Sequence, residues 1–445
     1  MPNNAISIIG LGRLGAPFAA CAARVAPVFA HDINPAQIQA LRDLAPPHES
    51  GLIPLLKKNS KRLTYTADVT EAVLRSSITF IVVPTPSLAN GFYSNRFVVE
   101  ACRAVGGALR RKRTPHVVVV TSTVAPGSME GEIRRALEAS SGRRLGARLG
   151  LCYSPQFIAL GNVVNNLLRP DLVLIGESHA AAGASLEKFY RRFIERPAPI
   201  FRTSFANAEM AKLSLNAYVT MKISFANVLA RACEAWPGAD AGVITEIIGH
   251  DRRIGRSGLR GGVPFGGPCF PRDGAAFRRA IKASGVQDSL ASAVDAINRD
   301  QVTHIARVVV KNLSGRRRVA ILGAAYKAGT PVVVESPSLA LGKHLQKRGI
   351  SVIFFDPLIS PPAAPKGLRF TRTLEDALGQ ASAAVIMTPC EDFLSIDAHR
   401  LKSFPGLKAL IDGWGLLGGL RGWTGRYVQL GRFAASSSFR SARPN

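Results

Sequence analysis

Short apolar runs recur along the chain, each closed by glycine or a polar residue, with helical periodicity between them. Ala5–Ile9 is one such run, followed by Gly10-Leu11-Gly12-Arg13-Leu14-Gly15 and an Ala-rich helical stretch. Val28–His31 is the next and ends at Asp32. Ile78–Val83 ends in Pro84-Thr85-Pro86, Val117–Thr121 ends in Ser122-Thr123, and Leu151–Tyr153 runs into Ser154-Pro155-Gln156-Phe157. Polar residues just past strand ends are where an open parallel sheet places its ligand crevice. From Asn207 to Trp236 the pattern predicts one long helix, capped by Thr203 or Ser204. Arg318–Leu322, Val352–Phe355 (closed by Asp356-Pro357) and Val385–Met387 (closed by Thr388) then repeat the strand-and-helix logic. The pattern predicts an α/β chain: two Rossmann-like doubly wound domains joined by a central long-helix domain. The expected boundaries are 1–203, 204–302 and 315–430, with a basic tail over 431–445.

Composition narrows the classes. The chain has 445 residues, 47% of them apolar and 20% charged, enough for cores of ordinary size and incompatible with wholesale disorder. Its net charge of +27 allows a nucleic-acid partner, an anionic small molecule or a solvated basic surface. The basic residues are spread out, with short runs at Arg110–Arg113 and Arg316–Arg318, and no aromatic-interleaved basic motif accompanies them. A solvated surface with phosphate-bearing ligands is therefore expected, and nucleic acid is not. Six scattered cysteines without metal spacing fit a reducing, cytoplasmic setting, with no metal site. No uninterrupted apolar run reaches membrane length, so no membrane partner is expected.

Strand, Gly-x-Gly-x-x-Gly, helix, strand and acid is the order a dinucleotide-binding unit requires. The glycines allow a tight turn and close approach of a pyrophosphate to the helix N-terminus, where N–H groups favour anions. Asp32 can accept from both ribose hydroxyls and repels a 2′-phosphate, which favours NAD. Lys212 and Asn216 lie four apart and share one helix face. Taken alone, that pair reads as a solvated lysine and asparagine.

The run Phe265-Gly266-Gly267-Pro268-Cys269-Phe270-Pro271-Arg272-Asp273 changes that picture. Pro271 suits a first helical turn, which sets Cys269 at a helix N-terminus. There the dipole and Arg272 favour thiolate. A nicotinamide, a nucleophilic cysteine and a lysine together suggest oxidation past the aldehyde. The thiolate captures an aldehyde, a second hydride transfer leaves a thioester, and water releases the acid. Lys212 and Asn216 would assist proton removal and the oxyanion.

The ordered series of these motifs resembles the nucleotide-sugar dehydrogenases, the UDP-glucose/GDP-mannose dehydrogenase family. It includes Gly10–Gly15, Asp32, Val83-Pro84-Thr85-Pro86, Ser122-Thr123-Val124 and Pro155-Gln156-Phe157. It continues through Glu209–Asn216, Asp251-Arg252-Arg253-Ile254-Gly255, Gly266–Asp273, Tyr326-Lys327 and Glu335-Ser336-Pro337. The resemblance implies an NAD domain, a dimerisation spine and a nucleotide-sugar domain in a homodimer or higher homo-oligomer. It also implies oxidation of the hexose C6 alcohol to carboxylate with two NAD reduced. By that resemblance Cys269 is the nucleophile, Lys212 the catalytic lysine, Asn216 the oxyanion partner and Asp273 an activator of water. Thr123 and Gln156 join the catalytic set. NAD is assigned to Gly10, Gly12, Arg13, Leu14, Gly15, Asp32, Pro84, Thr85, Ser122 and Thr123. The sugar nucleotide, a UDP-hexose, is assigned to Gln156, Phe157, Lys212, Asn216, Arg253, Phe265, Gly266 and Lys327. The cysteine loop resembles the UDP-glucose enzymes more than those acting on N-acetylmannosamine.

Four positions depart from the family pattern. Gln156 stands where the family carries the glutamate assigned acid–base work on the thioester, and an amide is no general base at neutral pH. Leu160 replaces a second glutamate, Val334 an arginine and Pro264 a glycine. These leave a rival open: a catalytically impaired paralogue that binds NAD or nucleotide sugar. A different nucleotide sugar, such as UDP-N-acetylmannosamine, is a second alternative. A simpler β-hydroxyacid dehydrogenase is a third, opposed by the cysteine loop and the second α/β domain.

Overall fold

The structure is a computed structural model and describes residues 4–46, 49–315 and 317–433. Arg316 and most of the basic tail lie outside the described residues. The chain forms two compact units, Met1–Ser214 and Leu215–Asn445, and the division falls inside one helix, Phe205–Ala235. That helix is the predicted spine; Ser204 Oγ accepts the Asn207 N–H at 3.3 Å and Thr203 Oγ1 accepts from its side chain.

The first unit is built on eight strands: β1 (Ile6–Ile9), β2 (Val28–His31), β3 (Leu63–Thr66), β4 (Ile78–Ile81), β5 (His116–Val120), β6 (Leu149–Tyr153), β7 (Val173–Glu177) and β8 (Ile200–Thr203). Their order is β3-β2-β1-β4-β5-β6-β7-β8, with every neighbouring pair parallel except β6 and β7. Successive side chains on a strand feed opposite layers. Val119 of β5 joins a core with Phe18, Phe80 and Phe193, whereas Val118 and Val120 join Val105, Ile133 and Leu137. The inner strands are covered on both faces, which is why they are mostly apolar rather than alternating, while the edge strands β3 and β8 are partly exposed. Burying each such side chain contributes about 1.5–3 kcal/mol. In the first layer the rings of Phe18 and Phe80 lie 4.8 Å apart and those of Phe189 and Phe193 5.3 Å. The chain order reverses between β1 and β4, so the crevice opens beside the Gly10 turn.

The second unit holds β9 (Arg318–Leu322), β10 (Ser351–Phe355), β11 (Ala383–Ile386), β12 (Ala409–Asp412) and β13 (Arg426–Gln429), ordered β10-β9-β11-β12-β13 and parallel throughout. Val319 and Ile321 face one layer, Ala320 and Leu322 the other. The two units share a device at the same topological place. Asp32, after β2, accepts the Leu11 N–H at 2.7 Å; Asp356, after β10, accepts those of Ala324 and Ala325 at 2.8 and 2.9 Å. In each, a strand-end carboxylate holds the turn leaving the neighbouring strand.

One sequence expectation fails in part. The basic run at Arg110–Arg113 is not simply a solvated face, because Lys112 is buried. Its Nζ donates to the carbonyls of Val73 (2.7 Å) and Ser76 and lies 3.1 Å from His116 Nδ1. His116 Nε2 continues the chain to Thr79 Oγ1 at 2.8 Å and thence to Ser7 Oγ at 2.7 Å. A buried cation has found carbonyls and a ring nitrogen there, as burial requires. Among the described residues no helix is long and apolar enough to cross a membrane.

Candidate active site

In the first unit the turn after β1 is shaped for a close ligand. Gly10 sits at φ +98°, and a Cβ there would lie 2.4 Å from the Val82 carbonyl oxygen. A Cβ on Gly15 would meet the Gly10 carbonyl oxygen at 1.9 Å, whereas one on Gly12 would meet nothing within 4 Å. So two glycines close the turn and the third faces open space. The helix that follows, Gly15–Ala22, has no side-chain cap at Leu14; in its first turn Ala16 gives its N–H to the Gly12 carbonyl at 3.0 Å and Pro17 carries none, which leaves the N–H of Gly15 for an incoming anion. Arg13 is exposed beside it. Asp32 uses one lone pair of Oδ2 on Leu11 and one of Oδ1 on Asn34 (2.8 Å), and each oxygen keeps another for a ribose hydroxyl. These residues fit a dinucleotide.

The ends of β4 and β5 are fastened across the same edge. Ser122 Oγ donates to the Val83 carbonyl at 2.6 Å and accepts the Val83 N–H at 3.0 Å, and Thr85 Oγ1 donates to the Thr123 carbonyl at 2.8 Å. Pro84 is exposed, while Thr85 is nearly buried. Glu209, buried on the spine helix, accepts the N–H groups of Gly127 and Met129 at 2.7 and 2.8 Å, which ties the loop after Thr123 to that helix. Burial raises its carboxyl above the usual range, against the pull of those N–H groups.

A second cluster in this unit gathers Gln156, Phe157 and Lys212. Lys212 Nζ donates to the Gln156 main-chain carbonyl at 2.9 Å and lies 4.6 Å from the Phe157 ring centroid. The Gln156 amide turns its nitrogen inward, donating to the Ser154 carbonyl at 3.1 Å and to the Tyr190 hydroxyl at 2.9 Å. Leu160 packs against the apolar core beside it.

In the second unit Cys269 is half-buried at the N-cap of the helix Phe270–Ala283, with Pro271 in its first turn, as the sequence predicts; the other five cysteines are buried. Asp273, 1% exposed, closes that turn: its N–H donates to the Cys269 carbonyl at 2.8 Å. Its carboxylate accepts from Asn216 Nδ2 at 2.6 Å and from Arg272 Nε at 3.1 Å. Asn216 lies one helical turn beyond Lys212 on the spine helix. The loop before Cys269 packs tightly. A Cβ on Gly266 would meet the Glu335 carbonyl oxygen at 2.2 Å, and one on Gly267, at φ +84°, the Tyr326 ring at 2.4 Å. Pro264 is buried in this loop, Lys327 follows Tyr326 and is half-buried, and Val334 is exposed. Arg253 stands apart, with its guanidinium on Asp251 of its own loop at 2.6 Å.

Three amide side chains that the sequence reading passed over hold the cysteine loop. Asn298 accepts the Phe265 N–H at 2.9 Å and donates to its carbonyl at 3.0 Å. Asn227 accepts the Gly262 N–H at 2.8 Å, and Gln301 donates to the Gly262 carbonyl at 2.8 Å. Tyr190 was passed over too. An i,i+3 pair of amides, Asn298 and Gln301, on one helix face was the available signal. Among the described residues no group of three or more His, Cys, Asp or Glu is placed to hold a metal.

Comparison with known proteins agrees with this geometry. Residues 4–194 match the NAD binding domain of the UDP-glucose/GDP-mannose dehydrogenase family, residues 206–300 its central domain and residues 320–419 its UDP binding domain. The chain is 34% identical over 401 residues to the UDP-glucose 6-dehydrogenase of Haloferax volcanii, covering 88% of this chain and 93% of that one. It is 35% identical over 357 residues to the GDP-mannose 6-dehydrogenase of Azotobacter vinelandii, covering 79% and 80%. The structure of a UDP-glucose dehydrogenase from Pyrobaculum islandicum superposes with a TM-score of 0.86 at 29% identity, covering 97% of this chain and 98% of that one. The strand-end cradle, the cysteine-capped helix and these three matched domains mean that the chain belongs to the UDP-glucose/GDP-mannose dehydrogenase family, whose members oxidise a nucleotide sugar with NAD.

Proposed function

We propose that the chain oxidises the C6 alcohol of UDP-glucose to the uronate through a thioester on Cys269. The observation that carries this reading is the N-cap position of Cys269, one turn before the buried Asp273–Asn216 pair. A primary alcohol lies four electrons above a carboxylate and each nicotinamide takes two, so two NAD are reduced and one water is consumed per sugar. NAD supplies the hydride acceptor. The residues proposed to hold it are Gly10, Gly12, Arg13, Leu14, Gly15, Asp32, Pro84, Thr85, Ser122 and Thr123. Lys212, whose ammonium already donates to a carbonyl oxygen, is suited to donate to the alkoxide and tetrahedral oxygens that develop at C6. Asn216 is proposed to share that role. Cys269 attacks the aldehyde as thiolate, favoured by the helix N-terminus, and leaves as thiolate when water adds to the thioester. Asp273 is the proposed acceptor of the water proton, since Gln156 is an amide and takes none. Phe157, Phe265, Gly266 and Lys327 are proposed to line the sugar nucleotide together with Gln156, and Arg253 to reach it after leaving Asp251; Thr123 is proposed to join the catalytic set.

The choice of UDP-glucose is supported by the extent of the likeness to UDP-glucose enzymes, which spans more of the chain than that to the GDP-mannose enzymes. A homodimer is supported by Tyr218, Phe225 and Val228, which are about half exposed at helical spacing on the spine helix. The deciding assay is NADH formation from UDP-glucose, GDP-mannose and UDP-N-acetylmannosamine in parallel. Two NADH per UDP-glucose, lost in Cys269→Ala, is the expected result. Faster turnover of another sugar nucleotide would replace the substrate, and full conversion to acid by Cys269→Ala would remove the thiol from the mechanism. Replacing Gln156 with Glu should raise the steady-state rate if thioester hydrolysis limits it.

A further inference from the structure

We propose that Tyr190, backed by Ser154, is a positioning residue that fixes the Gln156 amide with its nitrogen inward, so that this position offers only a hydrogen-bond acceptor.

The hydrogen inventory dictates this orientation. A glutamine amide has two N–H donors and one carbonyl acceptor. Both donors of Gln156 are used inside the protein, on the Ser154 carbonyl and the Tyr190 hydroxyl. The Tyr190 oxygen therefore accepts, and its own proton goes to Ser154 Oγ at 2.8 Å. Tyr190 cannot turn away. Its ring is fully buried, 5.5 Å from Phe189 and 6.0 Å from Phe193 between centroids. Burial pushes its hydroxyl up to about 12, so at neutral pH it always carries a proton. Among the described residues the Gln156 Oε1 accepts no hydrogen bond, and Gln156 is half-buried, so that oxygen is what remains to meet a ligand or water. The main-chain carbonyl of the same residue accepts from Lys212, which places this acceptor beside the proposed catalytic lysine.

The corner is fitted to an amide. The Ser154 carbonyl needs a donor, and a carboxylate at position 156 would set an oxygen against it. The two hydroxyls could serve a carboxylate by reversing: Ser154 would donate to Tyr190, and Tyr190 to the carboxylate. A glutamate here would then depend on Tyr190 for its single inward donor.

The kinetic meaning rests on the proposed dehydrogenase reaction, but the positioning is testable without it. In protein labelled with 15N-glutamine, the side-chain signal missing from Gln156→Glu identifies Gln156. Its amide hydrogens should exchange with water at least tenfold more slowly than those of the exposed Gln287, and Tyr190→Phe should remove most of that difference. Ser154→Ala keeps the Tyr190 oxygen and should retain it. Exchange as fast as Gln287 in the wild-type protein, or unchanged in Tyr190→Phe, would overturn the proposal. In turnover with UDP-glucose, Tyr190→Phe should lower kcat several-fold with KM for the sugar unchanged. In Gln156→Glu the rate should rise with pH through one ionisation, and adding Tyr190→Phe should move that ionisation to higher pH. An ionisation unmoved by Tyr190→Phe would also overturn the proposal. Absence of NADH formation with every sugar nucleotide would defeat the functional reading instead, leaving the exchange result to decide the positioning.

Discussion

Asn216 Nδ2 donates to Asp273 Oδ2 at 2.6 Å, and both side chains are almost wholly withdrawn from water. A buried carboxylate needs hydrogen-bond donors around it, and Arg272 supplies another at 3.1 Å. Asp273→Asn sets amide against amide and removes the charge that Arg272 answers. Hydrogen bonds to charged groups contribute about 1.5–3 kcal/mol, so a loss of that order in unfolding free energy is expected from denaturant titration. In stopped-flow NADH traces the variant should keep the first burst and lose steady turnover at least tenfold. A variant with steady turnover at the wild-type rate would remove Asp273 from the hydrolytic step.

The glycines of the first turn separate folding from binding. Gly10→Ala forces a Cβ to 2.4 Å from the Val82 carbonyl at a backbone angle that alanine resists, so the first unit should lose stability by about 1–3 kcal/mol. Gly12→Ala meets nothing within 4 Å and should melt as the wild type does. Its added methyl occupies the space a pyrophosphate would approach. The KM for NAD should rise about tenfold, equivalent to about 1.4 kcal/mol. Paired thermal melts and NAD titrations distinguish the two effects.

The buried strands that were legible show mostly apolar runs closed by glycine or a polar residue, with only Ser7 and Thr79 inside β1 and β4; β7 and β12 are as deeply buried and were not read. β2 and β9 fall on their predicted residues, and β1, β4 and β5 within two of them. β3 (Leu-Thr-Tyr-Thr) and β13 (Arg-Tyr-Val-Gln) were not read: each is an edge strand, half wet, with little apolar signal. The antiparallel entry of β7 beside β6 depends on pairing that no local pattern encodes. Cys269 at a helix N-cap could be read because Pro271 marks the first turn. Lys112 misled, since a lysine inside Arg-Arg-Lys-Arg looks solvated until Val73, Ser76 and His116 are brought to it by folding. Asn227, Asn298 and Gln301 were hidden for the same reason: an amide in a helix declares no partner until the loop it clamps is in place.

The buried network of Lys112 and His116 gives the first unit a pH signature. Burial first, and then the neighbouring Lys112 cation, hold His116 well below its usual 6.5. The unfolded chain therefore takes up a proton near pH 6.5 that the folded protein refuses, and stability is lost as pH falls below that value. Lys112 is lowered from 10.5 to about 8, by burial first and then by Arg143. Between those values the unfolded chain binds more protons, so this contribution to stability rises with pH across that window. Unfolding free energies of the wild type and His116→Gln should converge as pH falls from 6.5 toward 5. Relative to Lys112→Met, the wild type should gain from pH 8 to 10. Parallel curves in both comparisons would mean that neither group is held as described.

The cysteine loop should be sensitive to a residue that never touches substrate. Asn298 binds both main-chain groups of Phe265, and through them sets the backbone that leads by way of Gly266 and Gly267 to Cys269. Asn298→Ala leaves a partly buried N–H and carbonyl unpaired, a cost of about 1–3 kcal/mol for each group that finds no water. The two glycines stand against Glu335 and Tyr326 with no slack, so the loop cannot re-seat by a small shift. Acylation of Cys269 should therefore slow about tenfold or more, while NAD binding in the first unit is untouched. Asn298→Asp keeps the acceptor for the Phe265 N–H but loses the donor to its carbonyl, so it should restore part of the rate. Alkylation of Cys269 by iodoacetamide provides the check: its protection by the sugar nucleotide should weaken in Asn298→Ala and recover in Asn298→Asp. Equal protection in both variants would mean that Phe265 is held by its packing against Phe270, 6.1 Å away between ring centroids, and not by the amide.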